Sequence, residues 1–219
     1  MDPGLYTQLL DLACGAFLLA AVLVLWRREL ASFIRVFTAQ GLALAAIAAL
    51  LGAREHRWDL LGVAVLIALL RAALLPYLMR RALTAGGETH ETEPLVNVTA
   101  SLLTAAVLTL LAYAATRPLT DLAPSSATRA LPIGLAVVLI GFFTLATRRR
   151  ALSQVVGFLL VDNGITAVAF LAASGVPLIV ELGVSFDVLF AVLVLQVLTT
   201  RMRAAFGGTD LDDLRELHD

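Results

Sequence analysis

Lysine is absent from this chain, and its sixteen basic residues are all Arg. A retinal photoreceptor needs a lysine amine for its Schiff base, so that class is excluded despite seven apolar runs. The single cysteine, Cys14, excludes an internal disulfide. His56, His90 and His218 are scattered and share no metal-ligand spacing, so neither a metal nor a redox cofactor is expected in this chain. There is no Gly-rich phosphate loop, and a net charge of −1 points to no nucleic-acid partner. No nucleophile stands beside a base, which argues against an enzyme cutting lipid or peptide bonds. The start, MDPGLYTQLL, has no basic n-region and no small-residue cleavage pattern behind it, so the first apolar run is expected to stay. Charge itself is scarce: 15 % of residues, against about 25 % in soluble domains.

What fills the chain instead is apolar sequence, 60 % of all residues, with a mean hydropathy of +0.91. It falls into runs at 5–26, 33–53, 58–79, 95–116, 130–147, 151–173 and 177–200. Each is close to the roughly 20 residues that a helix needs to cross about 30 Å of hydrocarbon. The alternation of a membrane barrel strand is missing, and in lipid each segment must pair its own backbone groups. The expected fold is an all-α integral membrane protein with about seven transmembrane helices.

Loop arginines set the expected orientation. Arg54, Arg57, Arg117 and Arg129 lie on one side, and eleven arginines, among them Arg27, Arg80 and Arg148, lie on the other. By the positive-inside rule the N-terminus is then outside and the C-terminus cytoplasmic. The longest interruptions divide the chain into a three-helix block with its cytoplasmic loop (1–94), a fourth helix with an outer loop (95–129), a second three-helix block (130–203) and a cytoplasmic tail (204–219). In the tail, Leu211, Leu214 and Leu217 recur every three residues behind a capping Thr209, either as a dock for a cytoplasmic partner or as a solvated end.

Polar residues inside the apolar runs are the candidates for function, because a charge at mid-membrane costs roughly 2.5–3.5 kcal/mol on insertion scales. Asp162 falls about 18 Å and Asp187 about 21 Å from the cytoplasmic boundary at helical rise, in helices too closely linked to be anything but antiparallel neighbours. Two carboxylates at one depth in apolar surroundings are candidates to take up and release protons; the alternative is structural bonding between helices. Arg71, about 13 Å inside the same boundary, would either bias such a relay or pair with an acid or with carbonyls. Thr166 shares a helical face with Asp162. Asn97, Ser101 and Thr104 form a polar stripe expected to act as interhelical hydrogen-bonding glue rather than as a water path. Glu181 lies one turn after Pro177, as a dipole-favoured acid or as an outer exit for protons. Asp11 and Gln40 are read as structural.

From Arg148 onward the sequence reads RRRALSQVVGFLLVDNGITAVAFLAASGVPLIVELGVSFDVLFAVLVLQVLTTR. It resembles component E of hydrogenase-4 and formate hydrogenlyase complexes, most specifically at Asp162-Asn163-Gly164 and from Pro177 through Glu181-Leu182-Gly183 to Phe186-Asp187. The last three helices are also similar to the K subunit of complex I and the C subunit of multisubunit cation/proton antiporters. Asp162 stands where the component E pattern is expected to carry Glu, a longer side chain.

The resemblance implies a non-redox, multi-pass subunit of a bacterial cytoplasmic (inner) membrane complex, not an enzyme on its own. It would lie in lipid among antiporter-like and complex I H-like membrane subunits, with iron-sulfur or hydrogenase-type peripheral subunits as indirect partners. Asp162, Asp187, Glu181 and Arg71 would contribute to a proton path, supported by Asn163, Thr166, Ser101 and Thr104. The competing readings are a scaffold that only holds antiporter-like subunits together, a subunit of a cation/proton antiporter, and a stand-alone transporter, for which the usual inverted repeat is not evident.

Overall fold

A computed structural model describes residues 2–26, 30–86, 96–122, 124–148 and 151–173. The described residues are all helical or in short connections, with no strand among them. The helices are α1 (Pro3–Trp26), α2 (Leu30–Glu55), α3 (Trp58–Ile67), α4 (Leu75–Gly86), α5 (Val98–Leu122), the short α6 (Ser126–Arg129), α7 (Leu131–Thr147) and α8 (Ala151–Ala173). A π-helical stretch, Ala68–Leu74, runs from α3 into α4 without a break. Six spans are long and apolar enough to cross a membrane, and they coincide with the first six apolar runs to within a few residues. The chain is a multi-pass membrane protein; the seventh run, 177–200, and the tail lie outside the described residues.

Hydrogen bonding at the connections follows from local sequence. Ser125 caps α6 in a reciprocal capping box with Thr128. Asn97 accepts from the Ala100 N–H at 2.7 Å and so caps α5. His56 ends α2 in the left-handed region, with φ 54, where the Arg57 N–H reaches back to the Gly52 carbonyl at 3.0 Å.

The closest helix pair is α7 against α8, and glycine makes it possible. A Cβ on Gly134 would lie 3.0 Å from the Val168 amide nitrogen. On Gly141 it would lie 2.7 Å from that of Val161, on Gly157 2.9 Å from that of Leu145, and on Gly164 2.7 Å from that of Val138. Two glycines seven residues apart on each antiparallel helix therefore bring backbone onto backbone. In lipid, where apolar burial does not drive helices together, such close packing supplies the association.

At one end of the bundle Arg54 stacks over the Tyr6 ring at 5.4 Å, and the Thr7 and Ser126 hydroxyls meet at 3.2 Å. At the other end Arg148 is buried, with 5 % exposure. Its guanidinium donates to the Val24 and Leu25 carbonyls at 3.1 and 3.2 Å and lies 5.2 Å from the centre of the Phe33 ring. It thus ties two carbonyls near the described end of α1 to the end of α7. The sequence places Arg148 in a charged loop; the structure makes it a clamp joining α7, α1 and α2.

Candidate functional site

α8 presents Asp162, Asn163 and Thr166 on one face, as positions i, i+1 and i+4 of a helix do. All three are buried, and so is Arg71, at 1 % exposure. Arg71 belongs to the π-helical stretch. Pro76 lies just beyond that stretch and has no N–H to give to the preceding turn, while its ring crowds the carbonyl four residues back. A widened turn relieves that clash, and it places Arg71 toward α8. Gly41 on α2 makes room for it: a Cβ there would lie 3.0 Å from the Arg71 carbonyl oxygen.

The Arg71 guanidinium joins three side chains of α8. Nη1 is 2.8 Å from Asp162 Oδ2 and also donates to Asn163 Oδ1, and Nη2 donates to Thr166 Oγ1 at 3.1 Å. Asn163 turns its amide the other way and donates to Gln40 Oε1 on α2 at 3.0 Å. Five side chains from three helices therefore form one connected polar cluster inside the hydrocarbon-length part of the bundle. The fixed, planar fork of arginine suits this branching, whereas a lysine ammonium would not hold three acceptors in one plane. The Gln40 Nε2 atom is buried and has no hydrogen-bond partner among the described residues.

A buried arginine this deep needs a counter-charge, and Asp162 is that charge. Of the alternatives open for Arg71, pairing with an acid is present, and Thr166 and Asn163 join it. Gln40, read from sequence as merely structural, is a member of the cluster; its neighbour Gly41 is the signal that α2 comes close to another helix here. Ser101 is buried, and its backbone N–H donates to the Asn97 carbonyl at 3.0 Å. Thr104 donates its hydroxyl to the Ala100 carbonyl at 2.8 Å in its own helix. With Asn97 capping the same helix, neither Asn97 nor Thr104 makes a cross-helix side-chain bond among the described residues. Asp187 and Glu181 fall outside the described residues, and so does the question of whether Asp187 meets Asp162.

No family model matches the chain, and no solved structure matches it. Among curated proteins it is 50 % identical over 220 residues to "Uncharacterized protein Rv0085" of Mycobacterium tuberculosis (strain ATCC 25618 / H37Rv), covering the whole of both chains. The chain belongs to the family of that mycobacterial protein. It is also 30 % identical over 115 residues to hydrogenase-4 component E of Escherichia coli (strain K12), and equally to that of Shigella flexneri. That match spans 52 % of this chain and 53 % of component E, about half of each. The resemblance to component E is borne out at this level: this chain and component E share sequence over about half of each.

Proposed function

We propose that this chain is a non-redox, cofactor-free membrane subunit of a hydrogenase-type, complex I-like assembly, with its N-terminus outside and its C-terminus in the cytoplasm of a bacterium. In this reading it contributes buried carboxylates to a proton translocation path. Its partners are lipid, antiporter-like and complex I H-like membrane subunits, and, through them, iron-sulfur or hydrogenase-type peripheral subunits. The shared sequence with component E supports the assembly, and the buried Arg71–Asp162 pair carries the proposal for the path.

The pair sets terms for any proton movement. Arg71 lies 2.8 Å from Asp162, and protonating Asp162 in place leaves a buried guanidinium without a counter-charge. A proton can therefore use Asp162 only in a step in which Arg71 moves away or finds another acid. Asp187 and Glu181 on the seventh run are the acids proposed to receive it.

One observation favours a second reading, a scaffold. Arg71 ties its own span to three side chains of α8, and Asn163 extends the tie to α2, which is what a packing device would do. Paired substitutions separate the two. Arg71→Met with Asp162→Leu removes both charges together and spares the bundle an orphaned ion. If the complex copurifies intact with this double variant while reconstituted vesicles lose proton translocation, the relay stands. If translocation also survives, the cluster is architectural.

A further inference from the structure

A cleft of about 370 Å³ opens where α5, α6 and α7 converge, lined by Tyr113, Ala114, Arg117, Thr120, Arg129 and Pro132. It lies far along the chain from the Arg71 cluster, and nothing in the proposed proton path uses it. Two of the four arginines expected on that side of the membrane share it, and no acid lines it. Among the described residues the Arg129 side chain makes long hydrogen bonds, at 3.3 and 3.4 Å, to the Ser125 carbonyl and the Ser126 hydroxyl. Arg117 forms no ion pair with Asp121, one turn on, and both arginines are exposed.

The sequence of α5 connects this cleft to the lipid. Leu103, Val107, Leu110, Ala114 and Arg117 follow one another at spacings of three and four, which puts them on one face of the helix. The first three are 65 %, 62 % and 70 % exposed. An outward apolar stripe thus runs along the span and ends at two guanidinium groups. A partner helix is a poorer occupant, because tight interhelical contacts in lipid use small residues, as α7 and α8 do here, rather than projecting Leu and Val.

We infer that this cleft binds the phosphodiester headgroup of an anionic phospholipid, with an acyl chain lying along the Leu103–Val107–Leu110 stripe. Arginine pairs with phosphate through parallel N–H donors, and two arginines in one cleft give a fork for the phosphate oxygens. The Tyr113 ring sits at the end of the apolar stripe, where aromatic belts meet headgroups. A zwitterionic headgroup brings an ammonium that finds no carboxylate in this lining. A glycerol headgroup brings hydroxyls instead, and Pro118, which lacks an N–H, leaves the Ala114 carbonyl without its usual helical donor.

The test is retention and thermal shift of the full chain in detergent, titrated with phosphatidylglycerol, phosphatidylcholine or inorganic phosphate. Phosphatidylglycerol is expected to raise the melting temperature and to stay bound in native mass spectrometry, with phosphatidylcholine at least tenfold weaker. Arg117→Gln with Arg129→Gln should remove that preference, while Arg57→Gln, outside the cleft, should leave it intact. Equal effects of the two lipids, or a double variant that keeps the preference, would overturn the proposal. Inorganic phosphate competing as well as the lipid does would overturn the acyl-chain stripe. Phosphatidylglycerol bound by the isolated chain but shed on assembly of the complex would give this face to a protein neighbour and overturn the lipid.

Discussion

Gly41 on α2 lies against the backbone of Arg71, so close that a methyl group on it would meet the Arg71 carbonyl carbon and oxygen, both at 3.0 Å, and Cβ at 3.2 Å. The atoms that would have to yield are mostly main chain. They belong to the residue whose side chain organises the polar cluster, so space at position 41 and charge placement at position 71 are one constraint.

Gly41→Ala should therefore destabilise the protein by about 1–3 kcal/mol through overpacking. Gly15→Ala and Gly62→Ala are the controls, since nothing lies within 4 Å of a Cβ at either position. Those two should instead stabilise their helices by about 0.4–1 kcal/mol. Unfolding of the detergent-solubilised protein measures all three.

Removing one partner of the buried ion pair is costly and removing both is not. Arg71→Met or Asp162→Leu alone should lose about 3–5 kcal/mol, and the double variant should recover most of it. A double-mutant cycle on the same unfolding transition reads the coupling directly, and additive losses would show that the two side chains do not depend on one another.

Arg148 does three things at once, and lysine can do at most one of them. Arg148→Lys should keep the charge yet lose the two-carbonyl grip on α1 and the planar stacking on Phe33, at a cost of about 1.5–3 kcal/mol. The prediction is checked by comparing Arg148→Lys with Arg148→Gln: similar losses mean that fork geometry, not charge, holds the helix end.

His56 occupies a left-handed conformation in which a side chain is strained and glycine is not. His56→Gly should raise stability by up to about 1 kcal/mol without altering the fold. An unchanged or lower melting temperature would mean that the imidazole makes a contribution of its own at this turn.

Most of the span pattern was legible because hydrocarbon imposes a length on every crossing, and the apolar runs report that length directly. Arg71 and Asp162 stood out for the same reason, as charges in places that tolerate few. Their partnership was not legible, since which faces of non-consecutive helices meet is a tertiary fact. Two local signals were nonetheless present. Pro76 marks the disturbed turn that redirects Arg71, and Gly134, Gly141, Gly157 and Gly164 recur at intervals of seven on the two helices that touch most closely. Gln40 looked unremarkable because an amide carries no charge, and its role appears only once Asn163 is seen to reach for it. Arg148 looked like one more loop arginine because burial at a helix end leaves no trace in a charge count.

The glycine seam has a mechanical consequence. With main chain resting on main chain there is no cushion of side chains to slide, so α7 and α8 behave as a single plank. A displacement that draws Asn163 off Gln40 must carry α7 along and pull at the hook by which Arg148 holds the end of α1. A disturbance at the centre of the bundle thereby arrives at its far rim as leverage on the first helix.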